Sequence, residues 1–145
     1  MSDHLQRFLW AQENTIEQVC RELSAGRKTG HWIWFIFPQV AGLGRSATAQ
    51  HYAIRSAEEA MTYLEEPTLG RRLRKCCALL LAHPDNSAEA ILGSIDALKL
   101  RSSMTLFKAV SGEATFQQVL DRFYAGQPDP STLDILASWG NQRVS

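Results

Sequence analysis

The chain has 145 residues, 45% apolar and 21% charged, with 15 Lys and Arg against 15 Asp and Glu and a formal net charge of zero. That is enough for one domain with a real core, taken here as residues 1–145, and too little for two. The composition is not that of a disordered segment, and balanced charge speaks against a dedicated nucleic-acid binder, which carries a basic excess.

In chain order, Phe8, Leu9, Ile16, Val19, Cys20 and Leu23 recur at helical spacing and predict one amphipathic helix from Asp3 to Ala25, ended by Gly26. A short basic loop, Arg27-Lys28-Thr29-Gly30, leads into Trp32-Ile33-Trp34-Phe35-Ile36-Phe37, six consecutive apolar residues before Pro38. Trp and Phe each remove on the order of 150–250 Å² from water on burial, so the run belongs in the core. Its length and the proline suggest a buried strand or an extended segment rather than a helix.

Ser46 is placed to cap a short helix through His51 and Tyr52. Ser56 and Glu59 have capping-box spacing for another that stops before Pro67. Thr68 is the expected cap of a helix from Leu69 to about Ala82, ended by Pro84, and Asn86 with Glu89 has capping-box spacing for the next. Ile95 to Val110 has helical composition, with Ser102-Ser103 as an expected interruption. Phe116, Val119, Leu120 and Phe123 mark a further helix closed by Gly126, and Pro130 opens a last one through Leu133, Leu136 and Trp139. The expectation is an all-α, mostly helical fold of six to eight helices with little or no β-strand.

Three cysteines, Cys20 and the adjacent Cys76 and Cys77, point to reduced thiols and a cytoplasmic protein rather than a disulfide framework. The N-terminus has an acid at Asp3 and no apolar stretch of signal-peptide length after it. The longest apolar run of the later helices, Cys76 to Ala82, is far short of the roughly 20 residues that cross a bilayer. His31, His51 and His83 are isolated, and no His or Cys pair has ligand spacing, so no metal is assigned. Gly42-Leu43-Gly44 lacks the third glycine of a dinucleotide fingerprint, and no phosphate-loop sequence occurs, so no cofactor is assigned.

More specific is Asp96-Ala97-Leu98-Lys99-Leu100-Arg101-Ser102-Ser103-Met104-Thr105. On a helix, Asp96, Lys99 and Ser103 share one face and bring together acid, base and hydroxyl. The plain alternative is a solvated ion pair. Beside the Trp-rich run, such a wall offers aromatic surface for a planar ring and polar groups for a sugar or phosphate.

From Gly26-Arg27-Lys28 through His31 to Gln39, Gly42-Leu43-Gly44, Ser46, Tyr52-Ala53-Ile54, Pro67, Lys99 to Phe107 and the ending Gly126, Asp129, Thr132-Leu133, the chain closely resembles the bacterial family called domain of unknown function 1810. Some members carry a calpastatin label, which nothing in this sequence supports. The resemblance implies a multihelical fold similar to the YbiA-like group, whose members include N-glycosidases and hydrolases of ribosylated and ADP-ribosylated compounds. That group uses a Glu before an aromatic pair at a helix start. The comparable stretch here, Ser46 to Tyr52, has no acid, so its catalytic residue does not carry over.

The reading is therefore hydrolysis, or at least binding, of a small ribosylated, phosphorylated or nucleotide-like ligand. An oxocarbenium-like transition state needs a carboxylate within reach, and Asp96 is the acid chosen, with His31 as its catalytic companion. Lys99 and Arg101 are expected to hold phosphate, Trp32 or Trp34 to stack on a base, and His31 or Gln39 to orient the sugar. Gly42, Gly44, Ser46, Tyr52 and Ser103 complete the expected lining. A sensing or interaction module without chemistry, or a purely structural domain, are the alternatives.

Overall fold

Thr15 breaks the expected first helix in two. Its hydroxyl turns back to the Ala11 carbonyl at 2.9 Å, and the chain continues as α2 (Ile16–Ala25) after α1 (Asp3–Glu13), in keeping with the preference of Thr for local backbone bonds over helix interiors. The computed structural model describes residues 3–144; Met1, Ser2 and Ser145 lie outside the described residues. Within these the elements continue as α3 (Ile33–Ile36), α4 (Ala47–His51), α5 (Ala57–Glu65), α6 (Pro67–Leu81), α7 (Ala88–Leu92), α8 (Ser94–Ser111), α9 (Ala114–Tyr124) and α10 (Pro130–Val144). The fold is all-α. The described residues contain no strand, only a parallel bridge between Val40 and Ile54.

Several local expectations change for identifiable reasons. The Trp-rich run contains one helical turn, Ile33–Ile36, instead of a strand, because Trp32, Ile33, Ile36 and Phe37 all turn into the core. The cap of α6 is Glu66, whose carboxylate accepts from the Thr68 and Leu69 amides; Pro67 takes the first helical position and moves the start back from Thr68. Ser87, not Asn86, caps α7. Ser102 and Ser103 do not interrupt α8, which runs unbroken from Ser94 to Ser111. The Ser102 hydroxyl is 2.7 Å from that of Thr132, so it finds its partner on another helix and leaves its own backbone undisturbed. The caps at Ser46 and Ser56 are as expected, at 3.1 and 3.0 Å from the Ala49 and Glu59 amides.

One continuous core joins Leu5 and Phe8 of α1, Val19 and Leu23 of α2, Trp32 to Phe37, and residues of α5 through α9. Helix α8 is its central rod: Leu100, Met104, Leu106 and Phe107 are buried, and α5, α7, α9 and α10 pack on it. Two polar bonds fasten the start of α10 to this rod: the Ser102–Thr132 hydroxyl pair, and the Asp129 amide, which donates to the Thr105 hydroxyl at 2.9 Å. Thr132 in turn donates its amide and hydroxyl to the Asp129 carboxylate.

Candidate functional site

The site begins with the end of α2. Gly26 takes the left-handed conformation, φ 75°, that closes a helix without a Cβ penalty, and the chain then folds back over Glu22. One Glu22 oxygen accepts from the Thr29 amide at 2.7 Å, the Gly30 amide at 3.0 Å and the Trp32 indole N–H at 2.9 Å. The other accepts from the Thr29 hydroxyl at 2.9 Å and Gln18 Nε2 at 2.6 Å. Burial opposes this charge, but the amides of Gly30 and Thr29, with Gln18 and Trp32, outweigh it and pull the carboxyl down to about 2. With both oxygens occupied by donors, Glu22 organises the loop and has no lone pair left for chemistry. Gly30 fits because a Cβ there would stand 2.6 Å from Gln18 Nε2 and 2.9 Å from the Trp32 ring.

This loop aims Lys28 inward. Its amide donates to the Ile91 carbonyl at 2.7 Å, and its ammonium donates to the Gly30 carbonyl at 2.5 Å and pairs with Asp96 Oδ2 at 2.6 Å. The Lys28 side chain is only 8% exposed, and its ammonium sits 5.0 Å above the Trp32 ring. Asp96 lies in the first turn of α8, where the positive helix end favours an acid. Its second oxygen faces the Lys99 ammonium at 3.5 Å, and Lys99 in turn lies 5.0 Å over the half-buried Trp34 ring. Trp32, Lys28, Asp96, Lys99 and Trp34 thus form an alternating row in which one carboxylate is shared by two ammonium groups and each ammonium covers an indole face.

The structure brings Asp96, Lys99 and the two tryptophans together as the sequence suggested, and adds Lys28 and Glu22. Trp32 is fully buried at 1% exposure, leaving Trp34 as the accessible ring. His31 is exposed between Gly30 and Trp32, on the loop that flanks the row. Ser103 is one turn further along the Asp96–Lys99 face of α8, wholly buried, and its hydroxyl has no hydrogen-bond partner.

Arg101 is held elsewhere. Its Nε donates to the Gln127 carbonyl at 3.0 Å and its guanidinium lies over Tyr124 at 6.0 Å, as two residues' separation from Lys99 on a helix requires. The remaining expected lining has structural contacts of its own. The Gln39 carbonyl accepts from the Ile54 amide at 2.8 Å, Tyr52 packs on Phe35 and Phe8 at 5.4 and 5.8 Å, and Ser46 caps α4. Gly42, φ 106°, faces Ile135 of α10, while Gly44 lies so near Ala49 that a Cβ would come within 2.5 Å of that side chain.

Among the described residues no group of three or more His, Cys, Asp or Glu is gathered as a metal site, and no helix is long and apolar enough to cross a membrane.

The comparisons with known proteins agree with this architecture. A crystal structure of the conserved hypothetical protein Rv1873 from Mycobacterium tuberculosis superposes with a TM-score of 0.90 at 46% sequence identity, covering 92% of this chain and 96% of that one. A search among curated proteins gives no match. The family described as Protein of unknown function (DUF1810) matches residues 2–136, and the chain belongs to that family.

Proposed function

We propose that the row centred on Asp96 binds a small ribosylated ligand carrying phosphate and hydrolyses its N-glycosidic bond. The observation that supports this is the unequal hold of the two lysines on Asp96: Lys28 at 2.6 Å and nearly buried, Lys99 at 3.5 Å and three times as exposed, at 24% against 8%. Lys28 is a fixed counter-ion. Lys99 is the movable one, able to leave Asp96 for an arriving phosphate, which a Lys recognises as a point charge. Its departure frees Asp96 Oδ1 and uncovers the Trp34 face, so that a carboxylate, a cation and a stacking surface become available together.

In this reaction the bond between the anomeric carbon and the base nitrogen breaks with its electron pair going to the nitrogen. Asp96 stabilises the positive charge left on the ribosyl group and takes a proton from the attacking water. His31, on the exposed loop, returns a proton to the leaving base. The reduced state of Cys20, Cys76 and Cys77 fits a cytoplasmic setting for such work.

A second reading, binding without turnover, draws support from the ammonium partners that both Asp96 oxygens already have. Asp96→Asn separates the two across a panel of ribosylated and ADP-ribosylated compounds. Turnover by the wild type, with a loss on the order of 10²-fold in the variant at nearly unchanged affinity, is the expected result. Binding with no turnover by either protein establishes the sensing role, and neither binding nor turnover across the panel removes both.

A further inference from the structure

Away from the Asp96 row, between the start of α5, the last turn of α8 and the later turns of α10, the surface opens into a cavity of about 810 Å³. Val110 on its wall is 14 residues along α8 from Asp96, about 21 Å. The wall is apolar. Met61 of α5, Val110 of α8, and Leu136 with Trp139 of α10 line it; all four are half-buried and pack on the core from one side, leaving the other side uncovered.

The polar lining is gathered at the start of α5, in Arg55, Ser56 and Glu58. Part of it is committed to the fold. The Ser56 hydroxyl caps the Glu59 amide at 3.0 Å, and the Glu59 carboxylate accepts from the Arg55 amide at 2.8 Å and pairs with Arg7 at 3.2 Å. Two charges are left over. The Arg55 guanidinium makes one bond, from Nη2 to the Gln50 carbonyl at 3.2 Å, and among the described residues neither it nor the Glu58 carboxylate has an ion-pair partner.

We infer that this cavity binds a free α-amino acid with a large apolar side chain, its carboxylate on Arg55, its ammonium on Glu58 and its side chain along Met61, Leu136 and Trp139. Charge complementarity selects this occupant. One unpaired cation and one unpaired anion, three residues apart, match a head group that carries both charges on a single carbon, whereas a simple acid leaves Glu58 unanswered and a simple amine leaves Arg55 so. The volume lies within the roughly 300–1,000 Å³ of small-molecule sites, where an apolar wall supplies contact and a few polar groups set orientation. Both charged residues are exposed, so the wall carries most of the affinity and the charges the selectivity. The site is independent of the Asp96 row and stands or falls without it.

Titration calorimetry of the full chain with L-phenylalanine should give saturable binding at millimolar concentration or below. L-Alanine, which lacks the apolar side chain, 3-phenylpropionate, which lacks the ammonium, and phenethylamine, which lacks the carboxylate, should each bind at least about threefold more weakly. Arg55→Gln should weaken L-phenylalanine by a similar factor and leave phenethylamine unchanged; Glu58→Gln should weaken L-phenylalanine and leave 3-phenylpropionate no weaker. A fluorescence change on binding, present in the wild type and lost in Trp139→Phe, places the ligand against α10. Absence of saturable binding, 3-phenylpropionate binding as tightly as L-phenylalanine, or both charge variants matching the wild type overturns the proposal.

Discussion

The Lys28 ammonium and the Asp96 carboxylate meet at 2.6 Å with side-chain exposures of 8% and 18%, joining the loop after α2 to the first turn of α8 across 68 residues of sequence. Removing Lys28 leaves Asp96 with only the longer Lys99 contact, at 3.5 Å, where water reaches it poorly. Lys28→Ala should therefore cost about 1–3 kcal/mol of unfolding free energy, whereas Lys28→Met combined with Asp96→Leu should recover most of it. Urea titrations of the two variants decide this; equal losses would mean that the pair is not desolvated.

Glu22 supplies a pH dependence of known sign. Its folded-state pKa lies near 2 instead of the ordinary 4.5, so the folded form binds the proton less readily than the unfolded one. The resulting stability is fully present above about pH 4.5 and is lost as pH falls through about 2. Glu22→Gln places an amide donor against backbone donors and should cost on the order of 1–3 kcal/mol at pH 7. Thermal melts from pH 7 to pH 2 should show the wild-type advantage shrinking toward acid; a gap that does not change with pH would exclude the carboxylate as its source.

The two tryptophans of the buried run should separate sharply. Trp32→Ala removes a fully buried ring and the indole bond to Glu22, and a loss of about 3–5 kcal/mol is expected. Trp34 is half-buried under Lys99, so Trp34→Ala should cost clearly less while abolishing any stacking of a ligand base. Chemical denaturation of both, side by side, provides the comparison.

Gly70 gives a prediction opposed to helix propensity. It lies in the first turns of α6, where an added Cβ would run into the Leu64 carbonyl at the end of α5. Alanine is ordinarily favoured over glycine in a helix by about 1 kcal/mol; here Gly70→Ala should destabilise, because backbone must move to admit it. A melting temperature above wild type would show that the α5–α6 corner yields.

Lys99→Ala should weaken binding of phosphorylated ligands at least about tenfold more than that of their unphosphorylated counterparts, since it removes a cation and leaves Asp96 in place. Isothermal titration of a matched pair of compounds measures the difference. Equal weakening of both would assign Lys99 to the Trp34 surface instead of to phosphate.

Much of this architecture is written in local pattern. The capping serines Ser46 and Ser56, the buried Trp-rich run and the shared face of Asp96 and Lys99 all follow from spacing, because capping and helical periodicity act within a few residues. Lys28 and Glu22 escaped because what matters about them is nonlocal. Lys28 reads as one more cation of a basic loop until Asp96 is brought to it, and Glu22 reads as a solvent-facing helix residue until the chain reverses at Gly26 and lays the Thr29 and Gly30 amides on it. An acid one turn before a glycine cap, followed by a short loop rich in free amides, is the signal that was available. The serines of α8 misled in the other direction: Ser102 favours a break only when its hydroxyl turns to its own backbone, and Thr132 gives it a partner elsewhere.

The uninterrupted run of α8 through Ser102 and Ser103 also sets the mechanics of the molecule. Asp96 and Lys99 stand near one end of the rod and the Ser102 and Thr105 anchors of α10 further along it, nine residues or about 13 Å from Asp96 to Thr105, with no hinge between them. In the proposed reaction the part that yields beside Trp34 is therefore the Lys99 side chain: the rod beneath it is continuous, and the Arg27–His31 loop beside it is pinned by the Thr29 and Gly30 bonds to the Glu22 carboxylate.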